Sequence, residues 1–145
     1  MIDRPPIKDH YMSMAHLVSE RATCVRRKVG AVIVKDNRVV STGYNGVPKG
    51  MKHCTEDKCI RTAMNIPSGE RHELCWGIHA ELNAVVFANR YDLEGADIYI
   101  TTFPCSFCTK VIVNSGIKNI FYSGDYNDSL SLSLLQKSNV NIKKI

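Results

Sequence analysis

Apolar residues Tyr11, Met14, Ala15 and Val18 follow an i, i+3, i+4, i+7 spacing after Pro5 and Pro6. That period predicts an amphipathic helix over about residues 7–23, packed by one face on a core. Asp9 near its start and Arg21 near its end suit the helix dipole. The pattern then changes: residues 29–34 are β-branched or small, Lys35, Asp36, Asn37 and Arg38 are polar, and residues 39–44 resume strand character. This reads as a β-hairpin. Residues 45–78 hold neither period and are rich in Gly, Pro and charge. So long an irregular stretch is unusual within a compact domain, and something other than apolar packing must order it. Beyond it the pattern predicts a helix over 79–90, a strand over 97–102 and a helix over 105–114 closed by Ser115 and Gly116. A strand over 119–123, a weaker helix over 130–137 and a final strand over 141–145 follow.

Strands that alternate with helices imply an α/β layer fold, opened by a hairpin and continued by helical crossovers, so the sheet is mixed. A chain of 145 residues with 44% hydrophobic content suits one domain spanning 1–145. Asp3, Arg4, Asp9, His10, Glu20 and Arg21 interrupt the first thirty residues, which leaves no signal peptide or membrane span there. A cytoplasmic location is therefore expected. In a reducing compartment, cysteines 24, 54, 59, 75, 105 and 108 are better read as metal ligands, catalytic groups or buried thiols than as disulfides. The net charge of +5 suits an anionic ligand, but it is modest and does not separate nucleotide from nucleic acid.

The chemistry concentrates in His79, Ala80, Glu81 and in Pro104, Cys105, Ser106, Phe107, Cys108. A helix opening after Pro104 stacks Cys105 and Cys108 at i and i+3, so both sulfurs reach one ion, and its N-terminus favours thiolate. His79 opens the other helix and supplies an imidazole. Three protein ligands leave one tetrahedral position for water, the mark of a catalytic zinc site. Zinc at +2 with two thiolates and a neutral imidazole sums to zero, a softer Lewis acid than a three-histidine site, so a nearby base gains importance. Glu81, two residues after His79, is placed to move protons between water and an adjacent ring nitrogen during hydrolysis of a cyclic amidine. The backbone N–H of Ala80 is a candidate donor to a substrate carbonyl. H-x-E followed by P-C-x-x-C is the signature of zinc deaminases.

The run Arg21 to Cys24, then Val29 to Val32, Ser41 to Gly46, His79 to Ala84 and Pro104 to Cys108 resembles the deoxycytidylate deaminases, phage members included. The resemblance spans roughly residues 10–126. It implies hydrolysis of deoxycytidine monophosphate (dCMP) to dUMP for thymidylate synthesis, on a three-layer α/β/α cytidine deaminase-like fold with a five-stranded mixed sheet. It also implies a homo-oligomer, often a hexamer, with dCTP and dTTP as effectors, and neither a membrane nor a nucleic-acid partner. Asn45 matches the asparagine that reaches the substrate sugar in this superfamily, or is simply a turn residue before Gly46. Phe103 and Tyr126 are candidates to wall the base, or core aromatics. The phosphate is expected to meet some of Arg27, Lys28, Lys49, Lys52, Arg61 and Arg71, without a choice among them. Trp76 stands where relatives carry a basic side chain more often.

Some deaminases of this type carry a second, structural metal. The matching positions are Cys24 and Cys54, with His72 and Cys75 completing the set and Cys59 competing for one place. Such an ion would staple the irregular stretch, so two zinc ions per chain are expected. The alternatives are deaminases of a nucleoside, a tRNA adenosine or a riboflavin precursor, or a non-catalytic nucleotide-binding sensor. The absence of a basic, aromatic-interleaved tail argues against RNA.

Overall fold

The computed structural model describes residues 2–145. Five strands form one mixed sheet in the order β2-β1-β3-β4-β5: β1 (Gly30–Lys35), β2 (Arg38–Tyr44), β3 (Asp97–Thr102), β4 (Asn119–Gly124) and β5 (Asn141–Lys144). β1 pairs antiparallel with both β2 and β3, while β3, β4 and β5 run parallel. The parallel pairs are the ones joined through helices, α5 (Ser106–Ser115) and α6 (Ser129–Lys137), as crossover geometry requires. Asp36 and Asn37, with φ of 50° and 58°, make the two-residue turn between β1 and β2, a left-handed conformation that Asp and Asn tolerate.

Alternation along the strands divides the core into two layers. Ala31, Ile33, Ile98, Ile100 and Ile120 face α3 (Ala80–Val86), α5 and α6, where Ala84, Ile112 and Leu135 meet them. Val32, Val34, Tyr99 and Phe121 face α1 (Ile7–Ser19), which contributes Tyr11, Met12 and Ala15. The expected three-layer α/β/α arrangement is therefore present.

Several boundaries differ from the sequence pattern. α1 stops at Ser19, short of residue 23, because the chain turns back so that Thr23 N–H reaches Asn45 O at 3.1 Å. The helix expected over 79–90 breaks after Val86, and Asn89 caps a separate short turn, α4 (Arg90–Leu93), by accepting from Tyr91 N–H. The irregular stretch holds α2 (Ile60–Ala63) and two 3-10 turns, Glu56–Lys58 and His72–Leu74. Its ends are clasped by an isolated bridge in which Gly46 and Ile78 exchange backbone hydrogen bonds of 3.2 and 2.7 Å.

Candidate metal centre and active site

The sheet presents the C-terminal end of β3 beside the start of α3, and there the two halves of the motif meet. α3 is pressed on β2 at Gly43, where an added Cβ would lie 2.2 Å from Ala80 O and 2.4 Å from Ala84 N. Ser41 Oγ donates to Ala84 O at 2.6 Å, and Asn83 Nδ2 to Tyr44 O at 2.8 Å, fixing the helix in place. His79 is the N-cap residue of α3, and Ala80 and Glu81 fill its buried first turn.

On the other side, Cys105 is the N-cap of α5 rather than its first helical residue, while Cys108 lies in its first turn. Asp128 holds this helix start, accepting from Ser106 N–H at 2.8 Å while capping α6 through Ser131 N–H at 2.9 Å. Below it, fully buried Ser131 donates to Pro104 O at 2.7 Å and bonds Thr109 Oγ1 at 2.6 Å.

The result is a compact donor set. His79 Nδ1 lies 3.4 Å from Cys105 Sγ and 3.3 Å from Cys108 Sγ. Among the described residues, these three form the set of His, Cys or acidic groups whose ligand atoms all fall within 4.8 Å. Around a tetrahedral zinc with ordinary bond lengths the nitrogen-to-sulfur edge is about 3.5 Å. The residues therefore fit a zinc ion, with Nδ1 as the histidine donor. Cys105 is held down to about 4 by the hydrogen bond from Cys108, with His79 adding to it against burial, so the anionic donor a metal needs is already favoured. Cys108 keeps its own proton more tightly, its thiol pushed up by that same hydrogen bond and by burial.

Glu81 is 3% exposed and is not part of the donor set. Burial raises its carboxyl above the usual range. It lines the same cavity of about 340 Å³ as His79 and Cys105, in the range typical of small-molecule sites.

That cavity collects most of the remaining candidates. Ala80, Asn45, Phe103 and Tyr126 all line it. Asn45 braces its rim: Oδ1 accepts from Val29 N–H and Nδ2 donates to Arg27 O, both at 2.8 Å. Of the basic residues named from sequence, Arg27 and Arg61 reach the cavity, whereas Lys28, Lys49, Lys52 and Arg71 do not. Arg27 bonds Thr102 Oγ1 at 2.6 Å and lies over the Tyr126 ring at 5.4 Å. Arg26 lines the cavity too and went unnoticed in the sequence. Only its adjacency to Arg27 hinted at this. Trp76 is 58% exposed and lies outside it.

His72 departs from the expected placement. It sits in the cavity wall, with Nε2 2.8 Å from the Tyr126 hydroxyl and its ring 5.0 Å from that of His79. Cys24, Cys54, Cys59 and Cys75, without it, line one small hollow of about 30 Å³ behind the cavity, although their sulfurs are not drawn together as closely as the donors of the triad. The competitor Cys59 thus stands with the other three cysteines where His72 was expected. Burial raises the Cys54 thiol, and Cys59, Cys75 and Cys24 add to the effect.

A zinc-type donor set open to a small-molecule cavity, with a buried carboxylate beside it, defines a hydrolase of the metal-dependent class. Residues 6–124 match the family described as the cytidine and deoxycytidylate deaminase zinc-binding region, and the chain belongs to that family. It is 39% identical over 143 residues to a deoxycytidylate deaminase of Schizosaccharomyces pombe, covering 97% of this chain but only 44% of that relative. A deoxycytidylate deaminase of Mycobacterium phage D29 is 37% identical, with 83% of this chain and 97% of that protein covered. Among solved structures, the dCMP deaminase of cyanophage S-TIM5, crystallised with dCMP and dUMP, superposes with a TM-score of 0.76 at 29% identity, covering 99% of this chain and all of that one. No described helix is long and apolar enough to cross a membrane.

Proposed function

We propose that this chain hydrolyses dCMP to dUMP and ammonia, supplying dUMP for thymidylate synthesis. The observation that carries the reading is Glu81, buried in the wall of the cavity that His79 and Cys105 also line, with Cys108 fully buried in the same donor set. When bound there by His79, Cys105 and Cys108, zinc supplies Lewis acidity that lowers the pKa of water. Glu81 accepts a proton from the attacking water and delivers it to the ring nitrogen next to the amino-bearing carbon; it then carries the remaining hydroxyl proton to the amino group, so that the C–N bond breaks with loss of ammonia and the carbonyl of dUMP forms. The Ala80 N–H holds the ring carbonyl, Asn45 meets the sugar from the rim, and Phe103 and Tyr126 wall the base. Relatives that act on dCMP by name, and one solved with dCMP and dUMP, support the choice of substrate. Ammonia release is to be measured from dCMP, deoxycytidine and a tRNA stem-loop. Turnover of dCMP above both others is expected, and no turnover of dCMP would overturn the reading.

The same reading includes a second zinc, held by Cys24, Cys54, Cys59 and Cys75. Its support is local: Arg26 N–H points at Cys24 Sγ from 3.4 Å and Gly77 N–H at Cys75 Sγ from 3.3 Å. Amides two residues beyond a cysteine that aim at its sulfur stabilise thiolate. Elemental analysis is expected to return two zinc ions per chain. One ion per chain, with Cys54→Ser leaving stability untouched, rules this site out.

The protein is further proposed to act in the cytoplasm as a homo-oligomer, with dCTP and dTTP as effectors. Val86, Phe87 and Tyr91, 71%, 73% and 81% exposed at the α3 to α4 corner, support self-association. Light scattering with and without each triphosphate, alongside dCMP turnover, tests both points.

A further inference from the structure

Two hydroxyl groups are sealed inside the protein beneath the start of α5: Thr109 on α5 and Ser131 on α6 have no exposed surface. Neither lines the catalytic cavity, and neither belongs to the donor set. Ser131 Oγ donates to Pro104 O at 2.7 Å, and Thr109 Oγ1 lies 2.6 Å from Ser131 Oγ. A carbonyl only accepts and a serine has one hydroxyl proton, so that proton goes to Pro104 and the Thr109 hydroxyl must donate to Ser131. The order of the relay is thus fixed, from Thr109 to Ser131 to Pro104. Ser131 is itself anchored, its N–H donating to Asp128 Oδ1 at 2.9 Å.

The relay ends on a group that is covalently tied to a metal ligand. Pro104 is fully buried, and among the described residues Ser131 supplies the one hydrogen bond to its carbonyl. That carbonyl belongs to the peptide unit that also contains Cys105 N and Cα, and such a unit is planar. Holding the oxygen therefore holds the plane from which the Cys105 side chain departs. Cys108 lies within the first turn of α5 and takes its place from the helix, whereas Cys105 is the N-cap, extended at φ −69° and ψ 167°. Its far side is fixed by Thr109 N–H, which donates to Cys105 O at 2.9 Å, and its near side by Ser131. We infer that Ser131, oriented by Thr109, is a positioning residue for the zinc site: it locks the Pro104–Cys105 peptide and so aims the Cys105 sulfur towards His79 Nδ1 and Cys108 Sγ. The inference rests on the metal centre and not on the choice of substrate.

The competing role is purely structural, a buried link that joins α5 to α6 without affecting the metal. Titration of metal-stripped protein with zinc against a chromophoric chelator separates the two, and His79→Ala titrated alongside marks the binding step that belongs to the triad. Ser131→Ala is expected to weaken that step on the order of 10–100-fold, the usual scale for losing an outer partner of a metal ligand. With zinc in excess, KM for dCMP is expected to stay within about 3-fold of wild type while kcat falls, because neither hydroxyl touches the cavity. A paired exchange at Thr109 decides the question if the Ser131 variant does not fold. Thr109→Val keeps the shape and removes the hydroxyl, whereas Thr109→Ser keeps the hydroxyl and removes a methyl. Zinc affinity is expected to fall in Thr109→Val and to hold in Thr109→Ser, the reverse of what packing alone gives. Zinc affinity within about 3-fold of wild type in Ser131→Ala, whatever its melting temperature, overturns the assignment. So does a fall in Thr109→Ser without one in Thr109→Val.

Discussion

Asp128 makes one carboxylate serve two helices, and removing it tests whether the metal-bearing start of α5 is held from outside. Its oxygens accept from Ser106 N–H at 2.8 Å and Ser131 N–H at 2.9 Å. A hydrogen bond to a charged group contributes roughly 1.5–3 kcal/mol, and loss of an N-cap typically costs about 1 kcal/mol. Asp128 is only half-buried, which places the combined loss for Asp128→Ala at the lower end, about 2–3 kcal/mol. For a chain of this length that corresponds to a Tm drop of roughly 5–10 °C. Asp128→Asn keeps a neutral acceptor and should recover part of it. The pH dependence has a definite sign. Burial alone would raise the Asp128 carboxyl, but the Ser131 and Ser106 amides overcome it and hold it below the usual value. A carboxylate depressed in the folded state contributes its full stabilisation above the unfolded value of about 3.9, and loses it as pH falls through the folded value. Thermal melts of wild type and Asp128→Ala at pH 7 and pH 3 should therefore show a gap that narrows in acid. A variant as stable as wild type at pH 7, or a gap of equal size at pH 3, would refute the reasoning.

Other outcomes follow from the same geometry. Glu81→Ala should bind zinc and fold normally while losing on the order of 10²–10⁴-fold in kcat, and surviving activity would remove Glu81 from the proton path. Cys108→Ser should abolish tight zinc binding and activity together, since a hydroxyl replaces a buried thiolate donor, as metal analysis would show. Gly43→Ala should destabilise by at least about 1–3 kcal/mol, because a Cβ there meets the α3 backbone at 2.2 Å. Urea unfolding gives the size, and a neutral result would mean α3 is free to shift. Cys54→Ser should lower the melting temperature with dCMP kinetics largely kept, provided the catalytic zinc is retained.

Much of this was legible because the determinants are local. Runs of strand-favouring residues marked the strands, apolar spacing and start and stop residues marked the longer helices, and the metal triad rests on spacing within two helix starts. What escaped depends on how distant segments meet. The break of α3 after Val86 follows from the Asn89 cap, a side-chain choice that the apolar period conceals. The resemblance puts His72 in the second set, with Cys59 as the competitor by its spacing from Cys54. The fold of the turn around Arg71, with φ of 52°, sends His72 towards Tyr126 and leaves Cys59 with the sulfurs. That Arg26, Arg27 and Arg61 reach the cavity while Lys49 and Lys52 do not is likewise a matter of how the chain folds, which no charge pattern encodes.

The Gly46 to Ile78 bridge fastens both mouths of the irregular stretch to the framework. Chain added between these anchors is closed by a clasp that exists anyway, at only about 0.6 kcal/mol per doubling of length. The segment is therefore an exchangeable cassette. Evolution or a designer can rewrite the part of the cavity wall that this segment supplies while the framework that carries His79 and Glu81 keeps its anchor.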